Sequence, residues 1–171
     1  LAPPARAEAR GLADLTLRRL GQIDHALSRF VDRRPKPPGL HVLRLMAAEL
    51  LFAGTAPHGA VDSAVRLARS TPGAERLAGL VNAVGRRLAE ADAPGDGAGE
   101  IRRNMPKWLR QRLVGDWGEA EADRIAAAHL APAPHDVTPR HPGEASALAE
   151  ALGAMPLPGG GLRLPGRPQI S

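Results

Sequence analysis

Four arginine pairs are the residues of this chain best suited to act on a partner: Arg18-Arg19, Arg33-Arg34, Arg86-Arg87 and Arg102-Arg103. A guanidinium is planar, permanently charged and forks onto two phosphate oxygens at once, which an ammonium cannot match. Of the 23 basic residues only Lys36 and Lys107 are lysine, so the cations suit phosphate contact, and nucleic acid is the natural partner class. Arg18, Arg19, Arg33 and Arg34 also fall at helix C-termini, where the helix dipole favours a cation with no ligand present. Phosphate contact needs several pairs on one face, and spacing alone does not decide that. A second basic cluster, Arg102, Arg103, Lys107, Arg110 and Arg112, surrounds Trp108. The apolar pattern assigns that indole to a core with Leu109 and Leu113 rather than to a base-stacking surface.

Other chemistries find little support. His25, His41, His58, His129, His135 and His141 show no metal-ligand spacing, so no metal site is expected. Glu119, Glu121 and Asp123 read as a solvated helix start, where the dipole favours carboxylates. Gly159-Gly160-Gly161 lacks the GxGxxG pattern and a following helix, so it reads as a turn and not a phosphate cradle. There is no G-K-[ST] loop and no G-x-S-x-G elbow. With no cysteine, disulfides, thiolate metal sites and cysteine nucleophiles are excluded for these 171 residues. No catalytic and no cofactor-binding residue is expected here.

The elements that would position the arginines are helices. Hydrophobic residues make up 43% of the chain but only four are aromatic, so a core must be built of Leu, Val and Ala, which suits packed helices. Helical spacing predicts Arg6–Leu20, closed by Gly21, and a second helix carrying Ile23, Ala26, Leu27 and Phe30. After the Pro35-Lys36-Pro37-Pro38 breaker, Leu40–Phe52 is apolar almost all round, as a central helix should be, and Gly54 stops it. The next helix takes Thr55 as N-cap and Pro57 in its first turn, with Val61, Ala64, Val65 and Ala68 inward and Asp62 paired to Arg66. Leu77, Leu80, Val81, Val84 and Leu88 form the strongest stripe, with Asn82 expected to be partly buried beside it as a lock between helices. Residues 92–99 cannot hold a helix and read as flexible. Beyond them Asn104 caps a helix containing Trp108, Gly115–Gly118 interrupts, and Ala120–Leu130 resumes. A short extended stretch (Asp136–Thr138), a small helix (Glu144–Leu152) and a strand at Leu162 and Leu164 complete the chain.

The expected architecture is mainly α, with a helical bundle over 1–91, a linker over 92–103 and a small helical or α+β segment over 104–171. Charge divides the same way: residues 1–91 carry 14 Lys/Arg against 8 Asp/Glu, and residues 92–171 carry 9 against 10. The longest apolar run, Leu45–Ala53, is broken by Glu49 and is too short to span a membrane. No signal peptide is visible, and a start at Leu1 reads as a fragment of a longer chain.

Three runs together carry a family resemblance: LRRLGQIDHALSRFVDR (Leu17–Arg33), HGAVDSAVRLAR (His58–Arg69) and AGLVNAVGRRLAE (Ala78–Glu90). They resemble the NusB-like domain of the Sun/Fmu (RsmB-type) ribosomal RNA cytosine-5 methyltransferases. NMPKWL (Asn104–Leu109) with Trp117-Gly118 resembles the linker region after that domain, and Asp136 through GLRL (Gly161–Leu164) the segment leading into the catalytic domain. The resemblance implies a cytoplasmic RNA-binding or RNA-positioning domain with ribosomal RNA as partner. Its contacts would be Arg18, Arg19, Arg86, Arg87, Arg102, Arg103 and Lys107. In that family S-adenosylmethionine and a cysteine nucleophile belong to a C-terminal domain expected beyond Ser171, and the first NusB-type helix is expected upstream of Leu1. A free-standing NusB antitermination factor would end near residue 91, so the further 80 residues favour the methyltransferase. The alternative is a module without catalysis that binds a protein partner or itself.

Overall fold

The structure is a computed structural model that describes residues 2–166. The chain forms two compact units, Leu1–Leu130 and Ala131–Ser171, and the first is all helix. Its elements are α1 (Pro3–Arg18), α2 (Leu20–Ser28), α3 (Pro37–Phe52), α4 (Pro57–Ser70), α5 (Ala78–Ala89), α6 (Ala98–Ile101) and α7 (Lys107–Leu130). α3 is the centre, with α1, α2, α4 and α5 packed around it. Its Val42, Leu43, Met46, Ala47, Ala48 and Leu51 are buried with Ile23 and Leu27 of α2, Val61, Ala64 and Ala68 of α4, and Val81, Val84 and Leu88 of α5. A nine-residue helix such as α2 is marginal alone; burying side chains worth about 1.5–3 kcal/mol each is what holds it.

Several boundaries differ from the sequence reading. Pro37 and Pro38 do not keep the chain out of α3. They form its first turn, where the missing amide would have had no helical partner anyway. Gly21 does not close α1: α1 ends at Arg18 and Gly21 lies inside α2. Thr55 is not the cap of α4, whose N-cap is Ala56 without a side-chain hydrogen bond. Gly54 has φ 67°, the left-handed geometry that ends α3 as expected. Asn82 is exposed, because it lies one residue on from Val81 and so about 100° around the helix from the buried stripe. Asp62 is exposed too and pairs with Arg66 at 3.2 Å. Residues 98 and 99, read as unable to hold a helix, open α6.

Trp108 is 70% exposed, against the core assignment. The small second core of the unit is built instead from Ile101, Met105 and Ala126, with Leu109, Leu113, Ile125 and Leu130 against it. The interruption in α7 narrows to Gly118, at φ 79° and ψ 167°. Asp123, read as solvated, accepts hydrogen bonds from Arg102 (Nε to Oδ1, 2.8 Å) and Arg110 (3.1 Å).

The second unit holds β1 (His135–Val137), a 3-10 turn (Pro142–Glu144), α8 (Ala145–Leu152), β2 (Met155–Pro156) and β3 (Leu162–Leu164). The strands form an antiparallel sheet in the order β1-β3-β2, with Gly159 and Gly160 at positive φ in the β2–β3 turn. Asp136 and Arg163 are directly opposed in register and joined by two 2.8 Å hydrogen bonds. The unit as a whole is therefore α+β, with β2 an addition to the expected elements.

One electrostatic feature of the bundle is testable. Glu49 on α3 has its carboxyl pushed up, first by burial and then by the nearby charge of Glu8. A raised folded pKa contributes stability that is present in acid and lost as pH rises through it. Glu49→Gln should therefore raise the melting temperature at pH 7, by on the order of 1 °C given the screening of a half-exposed group. That gain should vanish when melting is repeated below the carboxylate range.

Candidate nucleic-acid interface

The seven arginine and lysine candidates fall into two neighbourhoods. The first is where α1 meets α2. Arg18 pairs with Asp14 at 2.9 Å and donates to the His129 carbonyl at 3.1 Å. Arg19 pairs with Asp96, donates to Gln22 Oε1 at 3.1 Å and lies 4.7 Å over the Phe52 ring. Arg102 is held by Asp123 and Glu119, and Arg103 by Glu100 at 3.1 Å. These four cations work first as internal ties. The charge and hydrogen bonds of Arg102, and then of Arg110, keep the Asp123 carboxyl below its ordinary range. Lys107, at the start of α7, is exposed and has no carboxylate partner among the described residues.

The ties converge on a buried polar junction that no local pattern announces. Gln22 is fully buried. Its backbone amide donates to Asn104 Oδ1 (3.0 Å), its Nε2 donates to the Gly95 carbonyl (3.1 Å), and its Oε1 accepts from Asn104 Nδ2 (2.7 Å). Asn104 therefore caps the first turn of α2 across the unit and not the start of α7, as the sequence suggested. Gly21 beside it has no room for a side chain: a Cβ there would stand 1.8 Å from the Arg103 carbonyl oxygen.

The second neighbourhood lies where the end of α2 meets α5. The guanidiniums of Arg29 and Arg87 stand 5.6 Å and 5.1 Å from the centre of the Phe30 ring. Neither pairs with a carboxylate among the described residues, and the same is true of the exposed Arg33 and Arg86. Arg34 is different, pairing with Asp24 at 2.9 Å beside the tighter Arg44 contact at 2.6 Å. Burial alone would push the Asp24 carboxyl up, but the hydrogen bonds and charge of Arg44, joined by Arg34, outweigh it and hold it below the usual carboxylate range.

Comparison with known proteins now bears on this arrangement. Residues 1–90, which contain α1 to α5, match the NusB family. The chain belongs to the NusB family. It is also 40% identical over 139 residues to the ribosomal RNA small subunit methyltransferase B of Thermus thermophilus, an alignment covering 78% of this chain and 31% of that protein. That alignment is longer than the family match, so the likeness continues past α5. The chain spans about a third of the length of this relative.

In this NusB-family unit the cations divide by partner into two groups that their spacing in the sequence does not reveal. Arg29 went unnoticed because it stands alone and is not one of a pair, and Phe30 because it fits an apolar stripe. The adjacent Arg-Phe step was the available signal. Arg18 and Arg19 lie with Arg102 and Arg103 at one end of α2, while Arg87 sits with Arg29 at the other. No group of three or more His, Asp and Glu able to hold a metal occurs among the described residues, and no helix among them is long and apolar enough to cross a membrane.

Proposed function

We propose that this chain is an RNA-positioning part of a ribosomal RNA cytosine-5 methyltransferase, holding its substrate by phosphate contacts. The observation that carries the reading is the pair Arg29 and Arg87, packed on Phe30 and uncompensated by any described carboxylate, in a chain 40% identical to a ribosomal RNA methyltransferase. Two like charges held against one ring repel, and a phosphate between or beside them relieves that repulsion. The ring also fixes both side chains in advance, so little rotamer freedom is lost on binding. Arg86 and Lys107 join them in this reading. Arg18, Arg19, Arg102 and Arg103 contribute less, since each would first have to leave or share a carboxylate. Such contacts set register and orientation, not base identity.

S-adenosylmethionine would serve the methyl transfer of the whole enzyme, but the described residues do not fit it. The cleft beside Leu17, Ile101, Met105 and Leu109 is about 170 Å³, small against the roughly 300–1,000 Å³ of cofactor sites. The Gly159–Gly161 turn joins two antiparallel strands and leads directly into β3 and not into a helix. No step of the transfer is therefore assigned to this chain.

The test is RNA affinity against salt, by anisotropy with a labelled small-subunit ribosomal RNA fragment. Affinity should fall steeply with salt. The Arg29→Gln/Arg87→Gln double variant should lose about 10-fold or more at low salt and flatten the log–log slope by about 1.5, since each lost phosphate contact is worth about 0.7–0.9. Absence of binding at low salt, or a slope near zero in the wild type, would overturn the reading.

A further inference from the structure

The two tryptophans of this chain are both largely exposed, Trp108 at 70% and Trp117 at 68%, but their neighbours in the chain differ. On the first half of α7, Lys107, Trp108, Gln111, Arg112 and Gly115 are all exposed and form one solvent-facing strip. Among the described residues Lys107 has no carboxylate partner, and Arg112 is tied to the exposed Asp116 at 2.9 Å. The indole of Trp108 carries no cation or ring contact among the described residues, so its face is open. Trp117, by contrast, stands between Asp116 and the Gly118 kink that leads to Glu119. Leaving a large indole in water forgoes roughly 1.5–3 kcal/mol of burial.

We infer that Trp108, flanked by Lys107 and Arg112, is a stacking platform for an unpaired base of single-stranded RNA. The inference rests on the RNA-positioning reading and deepens it by naming the form of the nucleic acid. An open indole supplies the flat apolar face on which any base stacks, and the flanking cations lie within reach of the backbone on either side of that base. A duplex cannot use the platform, because its bases are already stacked on each other. The strip is polar and cationic around one ring, which suits a nucleotide better than the continuous apolar face an apolar protein partner requires. Trp117, between Asp116 and Gly118, has no cation adjoining it in the chain and serves as an internal control.

The experiment uses the full chain in two single-tryptophan forms, Trp117→Phe, which reports Trp108, and Trp108→Phe, which reports Trp117. Single-stranded RNA should quench the first and leave the second nearly unchanged. Trp108→Ala should weaken binding of a single-stranded oligonucleotide about 10-fold, shift duplex affinity little, and leave the melting temperature unchanged; Trp108→Phe should restore most of the loss. Equal loss for single strand and duplex, no quenching of Trp108, or unchanged affinity in Trp108→Ala would overturn the platform while steep salt dependence kept the RNA reading intact. A wild-type chain that binds no RNA at low salt would overturn both. Self-association that disappears on sizing only in Trp108→Ala would assign the indole to a protein interface and also overturn it.

Discussion

Gly21→Ala should lower the unfolding free energy by about 3 kcal/mol or more, read from chemical denaturation. Gly21 lies inside α2 with an ordinary helical backbone, so helix propensity alone argues for a gain of about 1 kcal/mol on adding a methyl group. The tertiary structure reverses the sign. The new Cβ would meet the Arg103 carbonyl oxygen at 1.8 Å, the carbonyl carbon at 2.2 Å and the Asn104 amide nitrogen at 2.8 Å. All three are backbone atoms, so no side chain can swing aside; the 3-10 turn Arg102–Asn104 must move away from α2. Gly79→Ala on α5 is the control. Nothing lies within 4 Å of its added Cβ, and that variant should be stabilised by about 0.5–1 kcal/mol. Should the two alanine variants shift stability in the same direction, the close approach of the turn to α2 is wrong.

Gln22→Ala should cost about 1–3 kcal/mol, because it removes two hydrogen bonds of a fully buried side chain, each worth about 0.5–1.5 kcal/mol. The Gly95 carbonyl loses the donation at 3.1 Å, and Asn104 Nδ2 loses its acceptor at 2.7 Å. Asn104→Ala attacks the same junction from the other side, leaving the Gln22 amide without its cap. In a double-mutant cycle the two should be coupled by about 1 kcal/mol or more, and the double variant should cost clearly less than the sum of the singles. Strict additivity would mean that the junction is open to water and contributes nothing. Both predictions concern the same seam, where residues 95–104 close onto the start of α2. The family match stops at residue 90, but the compact unit continues to Leu130, and cutting the chain at residue 91 would remove every partner of Gln22 in the later segment.

The proposed RNA role has two supports, the likeness to a ribosomal RNA methyltransferase and the pair Arg29 and Arg87, which lack a carboxylate partner among the described residues. The ion pairs matter as much as the free cations here. A basic chain spends many of its arginines on its own carboxylates, as Arg18, Arg19, Arg44, Arg102 and Arg110 do, and a count of charges overstates what remains for a phosphate backbone.

The local pattern determined where most of the helices lie, because each buries a stripe whose period is set by its own residues, but not where α1, α3 and α6 begin or end. Val81, Val84 and Leu88 face the core of α5 for the reason they recur in the chain, and Gly54 ends α3 because φ 67° suits glycine. The NusB family was legible as a resemblance of the runs Leu17–Arg33, His58–Arg69 and Ala78–Glu90, which lie within the 1–90 family match. Only the tertiary structure decided what Gly21, Gln22, Asn104 and Trp108 do. Gln22 and Asn104 are 82 residues apart, and a pairing over that separation leaves no trace in a periodicity read over two or three turns. Trp108 misled for a related reason: its spacing from Leu109 and Leu113 is helical, but which side of α7 is covered depends on where Ile101, Met105 and Ala126 come to lie. Which arginines are neutralised is likewise a matter of distances between helices, and those distances exist only once the core has closed.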